Sequence, residues 1–424
     1  MPYPLKFLLI PLGSAGDVLP FVWLGRLLRA RGHDVVFFAQ DLAREMPQRA
    51  GLPTIPWGDA AEQESLIRNP DLWHPRRAMN LIAHFAARWA GQSIPIIRPH
   101  VEEGRTVMIA GALAFGARIL AERWNVPLLT AHVQPAVFMS IEDTPVMIAH
   151  GEFLPRLPRW ARRAFFAAAN WMVDRKMGPA IQQVRTDVGL PPGRIKGLMR
   201  HYWHSPDGVL CLFPEWFARQ ASDWPAQAVL SRFPLYDEAI DRPPDPALEA
   251  FLAAGDAPVV ITPGSANAHA QRFLRHALEA CTRIRRRAVV ITRYPEQVAT
   301  LPPDGACFQY LPFGQVFPRA AAVIHHGGIG TTAQCLAAGV PQLIMPLSHD
   351  QPDNAARVKR FGAGDYLYPS AFKPHRIAHV LERLLASDAV RQACITLRDR
   401  CHTQMSDDEM AQLVESLGAK ALRA

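Results

Sequence analysis

Short, continuous apolar runs alternate along the chain with glycine- or proline-marked turns and with segments of helical spacing. Residues 5–12 form the first run, short enough for a strand buried on both faces. Gly13-Ser-Ala-Gly-Asp17 turns the chain, a helix is expected over 21–30 with Gly32 as its stop, and the β-branched and aromatic run 34–39 reads as the next parallel strand. The order returns with a strand at 106–110, a helix at 114–124 and a strand at 127–132. A second series follows the Pro- and Asp-rich stretch 233–246. Its strands are expected at 258–262, 288–292, 307–311, 322–326 and 342–347, with helices such as 270–284 and 331–338 between them. Three helical stretches after Pro374 end the chain, and the last, from Asp407, is placed to pack back across the domain boundary. Tandem βαβ units predict an α/β protein of two Rossmann-like, doubly wound domains facing across a cleft, where such folds bind ligands at the carboxyl ends of their strands. The expected domains are 1–235 and 250–405, with 406–424 as the returning helix.

Composition narrows the classes. With 49% hydrophobic and 20% charged residues in 424, the chain has the balance of a globular protein and excludes a disordered one. No apolar run approaches the roughly 20 residues that span a bilayer. Six scattered cysteines without a CxxC pair argue against a zinc site and for free thiols in a reducing compartment. The first apolar stretch is too short for a secretory signal, so a cytoplasmic location is expected. Lys plus Arg exceed Asp plus Glu by 46 to 38, a net charge of +8. That excess suits anionic partners, or merely solvated helix faces rich in arginine; no nucleic-acid-binding motif accompanies it.

Chemistry is most concentrated in Ile324-His-His-Gly-Gly-Ile-Gly-Thr-Thr-Ala333, where an apolar run passes into a helix. Small residues let the backbone approach a ligand, exposed N–H groups and the helix dipole attract an anion, and His326 adds a hydrogen bond. A tight turn with capping threonines explains the same residues. The segment is neither a GxGxxG fingerprint nor a Walker A loop. After the run 342–347, Asp350 and Gln351 sit where polar side chains bind sugar hydroxyls, or else open a helix with Asp353 and Asn354. Asp17, in the loop after the first strand, is a candidate general base or a helix cap.

The segments His326-Gly-Gly-Ile-Gly-Thr331 and His349-Asp-Gln-Pro-Asp-Asn354, with Pro341 and the N-terminal Gly13-Ser-Ala-Gly-Asp-Val-Leu-Pro20, resemble family 1 glycosyltransferases of the GT-B fold over nearly the whole chain. Residues 203–217, 223–225, 233–235 and 338–342 are similar to the rhamnosyltransferase branch of rhamnolipid biosynthesis. The resemblance implies Asp17 as catalytic base, at the place where relatives carry His or Asp. For the nucleotide sugar it implies Ser14, Gly16, Gly264, Ser265, Tyr310, Leu311, His326, Gly328, Gly330, Thr331, Asp350 and Gln351. Tyr310-Leu311 would hold the base, Gly264-Ser265 and 326–331 the diphosphate, and Asp350 and Gln351 the sugar. Many relatives add an aspartate at the position of Gly111; here none is present, and a carboxylate base needs no partner to set its tautomer.

Residues 140–200 fit neither Rossmann series. A helix beginning near Pro158 puts Trp160, Ala164, Ala167 and Trp171 on one stripe, with Arg159, Arg162 and Arg163 at its start. It either packs that stripe into the N-terminal domain, the preferred reading, or touches lipid. With Phe85 and Trp89 of residues 73–99, Trp160, Arg163 and Phe166 are the candidate acceptor-binding residues. The implied reaction is inverting transfer of L-rhamnose from dTDP-L-rhamnose to a hydroxyl of a 3-(3-hydroxyalkanoyloxy)alkanoate, giving mono-rhamnolipid, without cofactor or metal and with the inner-membrane surface or a partner protein as a further contact. The alternatives are another NDP-sugar on a sterol, macrolide or other lipid, a nucleotide-sugar epimerase, and a non-catalytic nucleotide-sugar-binding subunit.

Overall fold

Apolar runs buried on both faces become the strands of two all-parallel sheets in the structure, a computed structural model that describes residues 4–74, 77–238 and 242–423. The first sheet contains β1 (Lys6–Ile10), β2 (Asp34–Gln40), β3 (Thr54–Trp57), β4 (Thr106–Gly111), β5 (Leu128–His132), β6 (Val209–Cys211) and β7 (Ala228–Leu230). Its order is β3-β2-β1-β4-β5-β6-β7. Helices α1 (Ala15–Ala30), α2 (Glu45–Arg49), α3 (Ala60–Arg68), α4 (Ala78–Ile97), α5 (Phe115–Trp124) and α6 (Arg159–Asp187) lie between these strands in sequence. The second sheet contains β8 (Val259–Thr262), β9 (Ala288–Ile291), β10 (Gly305–Phe308), β11 (Ala322–His325), β12 (Gln342–Ile344) and β13 (Gly364–Tyr366), in the order β10-β9-β8-β11-β12-β13. Helices α7 (Pro246–Ala253), α8 (Gln271–Arg283), α9 (Phe313–Val316), α10 (Ile329–Ala338), α11 (Gln351–Arg360), α12 (Pro374–Ala386) and α13 (Asp388–His402) accompany it, and α14 (Asp407–Ala421) closes the chain.

The chain divides into two compact units. One holds the residues up to Pro145, Phe153–Pro234 and Met405 onward; the other holds Val146–Glu152 and Leu235–Gln404. Helix α14 is therefore part of the first unit. Trp23 Nε1 donates to Asp407 Oδ1 (3.3 Å), Arg31 pairs with Asp408 and Glu415, and Gly418 lies so close to Phe7 that an added Cβ would sit 3.3 Å from the ring. The short segment Val146–Glu152 is held by the second unit: Val146 N–H donates to Asp353 Oδ1 (3.0 Å), and Glu152 accepts the hydroxyls of Tyr366 and Tyr368.

Each sheet reverses its strand order once, between β1 and β4 and between β8 and β11. Loops leaving the carboxyl ends of those neighbouring strands diverge to opposite faces and leave a crevice for ligand. The local differences from expectation have physical causes. Helix α1 starts at Ala15, because Ser14 takes an extended N-cap conformation and Asp17 reaches back to it from the third helical position. Asp17 is thus in the first helical turn rather than in a loop, and Pro20 is accommodated inside the helix. Strand β12 stops at Ile344, just before Pro346, which has no N–H for a ladder. Strand β10 ends at Phe308, leaving Tyr310 and Leu311 in the turn before α9.

Candidate active site

The switch point of the second sheet is built from backbone with almost no room to spare. β8 leads to Gly264 at φ +93°, and β11 leads through His326 to Gly327 at φ +96°. A Cβ on Gly264 would lie 2.5 Å from His326 Cε1, and one on Gly328 would lie 2.6 Å from His326 Nε2. The imidazole is therefore cradled between two glycines, each needed for close approach. Its Nδ1 is buried without a hydrogen-bond partner, and burial pushes its pKa down to about 4, so the ring is neutral at physiological pH. Gly328 is the N-cap of α10, leaving the first N–H groups of a ten-residue helix unsatisfied at the end of β11.

A second histidine, which sequence reasoning did not single out, holds this turn. His325 is fully buried, and burial lowers its pKa to about 3. Its Nδ1 accepts the Gly327 N–H (3.1 Å), which places the proton on Nε2, 3.0 Å from Gln342 Oε1. The other side of Gly327 is held by Asn354 Nδ2, which donates to Gly327 O (2.9 Å) and to Asp350 Oδ2 (2.7 Å). Within an apolar strand His325 carries no sequence signal; only the geometry of Gly327 and Gln342 reveals its role. Four buried polar atoms lack partners in the segments that leave β11 and β12: His326 Nδ1, Thr332 Oγ1, Ser348 Oγ and Asn354 Oδ1.

The remaining donor-side candidates are placed as follows. Gln351 is buried and its Oε1 accepts from Leu347 N (2.8 Å) and Ser348 N (3.3 Å) across the left-handed His349, so it shapes the β12 loop from within. Asp350 is the N-cap residue of α11. Ser265 is exposed, Gly330 half-buried and Thr331 buried. Leu311 sits in the core. Tyr310 is 43% exposed, donates its hydroxyl to Glu238 Oε2 (2.6 Å) and is covered on its ring by Arg242 at 4.7 Å. Arg242 thus already occupies an approach to the ring that the sequence assigned to a nucleobase.

In the first unit, Asp17 stands at the β1/β4 switch point. Its Oδ2 accepts from Ser14 N–H (2.8 Å) and Ser14 Oγ (3.1 Å); Oδ1 accepts nothing from the described residues. A Cβ on Gly13 would lie 2.3 Å from Oδ2, so glycine at φ +135° is required there. Desolvation raises the Asp17 pKa above its ordinary 3.8, against the two Ser14 hydrogen bonds that lower it. Gly111 ends β4, and Leu12 N lies 3.6 Å from where its Cβ would be, but no side chain there approaches Asp17. Ser14 is spent on Asp17, and Gly16 is half-buried beside it.

The acceptor-side candidates need correction. Trp89 is 8% exposed and belongs to the core of the first unit, with half-buried Phe85 at its edge. Phe166 is likewise buried. Trp89 and Phe166 thus pack within the first unit, with Phe85 partly exposed beside Trp89. Trp160 and Trp171, expected to pack inward, are 74% and 57% exposed, because α6 buries its other stripe, Phe166, Val173, Met177 and Ile181. Arg163 is exposed on the same helix.

Comparison with known proteins agrees with this fold. Residues 276–417 match the family described as Erythromycin biosynthesis protein CIII-like, C-terminal domain. The chain is 30% identical over 416 residues to O-mycaminosyltylonolide 6-deoxyallosyltransferase of Streptomyces fradiae, covering 93% of this chain and 92% of that one. It is 32% identical over 378 residues to vancomycin aglycone glucosyltransferase of Amycolatopsis orientalis, covering 85% of each. Among solved structures, the glycotransferase of kitacinnamycin superposes with a TM-score of 0.70 at 22% identity (98% of this chain, 100% of that one). Spinosyn rhamnosyltransferase SpnG complexed with thymidine diphosphate superposes at 0.67 and 20% (97% and 99%). Two parallel Rossmann-like domains of this kind define a GT-B glycosyltransferase fold. The chain belongs to the family 1 glycosyltransferases, and it is an enzyme of glycosyl transfer. None of the relatives named here acts, by its name, on a hydroxyalkanoate; they favour the macrolide-type alternative over the rhamnolipid reading.

Proposed function

We propose that the protein transfers a sugar from a thymidine-diphosphate donor to a hydroxyl of a macrolide-type or related antibiotic aglycone, with inversion at the anomeric carbon. The observation that carries the donor half is the unpartnered Nδ1 of His326, cradled by Gly264 and Gly328 at the start of α10. Unsatisfied N–H groups, a helix dipole and a neutral imidazole donor together suit a diphosphate, which gains charge as it leaves. The described residues around this turn supply those donors themselves. The nature of the acceptor follows the named relatives, and the thymidine nucleotide follows the ligand named with SpnG. Asp350 and Gln351 are the candidates for the sugar, at the carboxyl end of the neighbouring strand β12.

Asp17 is the proposed base. One carboxylate oxygen is fixed by Ser14 while the other is open, so the group is oriented without being neutralised. A raised pKa makes it a stronger base than an ordinary carboxylate, and it takes the hydroxyl proton as the alcohol oxygen bonds to the anomeric carbon and the C–O bond to the diphosphate breaks.

His326→Ala is expected to weaken thymidine diphosphate binding by roughly 12- to 150-fold, the equivalent of about 1.5–3 kcal/mol for a lost hydrogen bond to a charged group, with thermal stability retained. Gly264→Ala should weaken it as well, by driving a methyl into the imidazole. Titration calorimetry checks both, and unchanged affinity in both variants would remove this turn from the diphosphate site. The reaction itself is tested with purified protein, dTDP-L-rhamnose, another dTDP-deoxysugar and UDP-glucose, each offered to a macrolide aglycone, a glycopeptide aglycone and a 3-(3-hydroxyalkanoyloxy)alkanoate. Mass spectrometry should find a glycosylated aglycone from a dTDP donor; a product formed only on the hydroxyalkanoate would return the acceptor to the lipid class.

A further inference from the structure

Helix α6 carries two apolar stripes, and the fold uses only one. Val173, Met177 and Ile181 face the core of the first unit, while Trp160, Trp171 and Met172 are 74%, 57% and 41% exposed. Trp160 and Trp171 are three helical turns apart, about 16 Å along one face. Large aromatic side chains left in water on one ridge mark a contact surface rather than scattered exposure.

The charges on this ridge are of one sign. Arg163 and Arg175, which flank it, are exposed, and no ion pair to an acid is made by them among the described residues. Arg175 lies over the Trp171 ring at 5.8 Å. Between Pro158 and Gln183 the one carboxylate is Asp174, which is buried and accepts the N–H groups of Gly197 and Leu198, each at 2.8 Å. The first turn of α6 has no acidic residue, although the positive end of the helix dipole favours one, and Arg159, Arg162 and Arg163 stand there instead. Exposed Phe153 and Arg156 precede it.

We propose that this face of α6 docks on an anionic membrane surface, with Trp160 and Trp171 in the interfacial layer and Arg163 and Arg175 at the lipid phosphates. The contact is peripheral, since no helix among the described residues is long and apolar enough to cross a membrane. A second copy is a poorer occupant. A two-fold axis on this face sets the ridge against itself, so the basic groups at one end of α6 meet those at the other with no carboxylate between them. An anionic bilayer offers complementary charge along the whole ridge and apolar depth for the indoles.

The test is flotation of the full chain with extruded vesicles of phosphatidylcholine alone and of phosphatidylglycerol mixed with phosphatidylcholine. Wild-type protein is expected to float with the phosphatidylglycerol vesicles, less so at high salt, and not with neutral ones. W160S/W171S and, separately, R163E/R175E should each lower the floated fraction about tenfold. Both keep the melting temperature and thymidine diphosphate affinity, because the altered side chains are exposed. Failure of wild-type protein to bind the anionic vesicles overturns the proposal, as does equal binding by both variants. A concentration-dependent dimer that W160S/W171S abolishes also overturns it, in favour of a second copy.

Discussion

Asp17→Asn is expected to lower the rate of glycosyl transfer by about 10³-fold, within the 10²- to 10⁴-fold range for loss of a general base, while thymidine diphosphate affinity stays within about twofold. The substitution keeps the shape of the side chain and an oxygen for the Ser14 N–H, so the local fold is preserved. Its effect on stability has a sign. Folding raises the Asp17 pKa through desolvation, so the protonated form is the one the fold prefers. The group's contribution to stability is fully present below its ordinary 3.8 and is lost as pH rises through the raised value. At neutral pH the ionised carboxylate is a liability, and the neutral asparagine variant should melt no lower than wild type. The same shift predicts that the acid limb of kcat/KM lies above the usual carboxylate range. A variant that melts well below wild type while retaining transfer would make Asp17 a helix cap and nothing more.

Asp353→Ala is expected to destabilise the second unit by up to about 3–5 kcal/mol, the effect of removing one partner of a buried ion pair. Asp353 and Arg357 are 4% and 3% exposed at their side chains and 2.7 Å apart, and the other carboxylate oxygen accepts the Val146 N–H. Removing the carboxylate leaves a guanidinium in a dry environment and frees the Val146–Glu152 segment at that point. Because α11 also supplies Asp350 and Asn354 to the β11 turn, donor affinity should fall along with stability. Asp353→Ala/Arg357→Met removes both charges and should recover much of the loss. Urea denaturation of the two variants checks this, and a change below about 1 kcal/mol in the single variant would contradict it.

Local chemistry was legible in the sequence where one short segment contains it. The turn 326–331 is such a case: an apolar strand, three glycines and a helix start are adjacent in the chain, and the structure brings Gly264 against the same imidazole. Strands such as β1 and β4 were legible because burial on both faces leaves a continuous apolar run. The edge strands β3, β7 and β13, and the three-residue β6 beside β7, are too short to stand out. Asp17 was placed in a loop because residues 13–17 read as a glycine-rich turn, whereas the Ser14–Asp17 cap starts the helix within it.

Other features depend on contacts between distant residues. The exposure of Trp160 and Trp171 could not be read from spacing, because α6 has a second stripe, through Val173, Met177 and Ile181, that is equally apolar. Only packing decides which stripe is buried. His325, the tyrosine pair on Glu152 and the Asp353–Val146 bond likewise join residues far apart or lie within runs whose composition says core.

The proposed reaction is a single displacement, with Asp17 as the base and a nucleoside diphosphate as the leaving group. The most direct test is the anomeric configuration of the product, read by NMR from the coupling constants of the transferred sugar. Inversion relative to the nucleotide donor is the predicted result, and its yield should vanish in Asp17→Asn. Retention of configuration, or an inverted product formed by Asp17→Asn at the wild-type rate, would contradict the account.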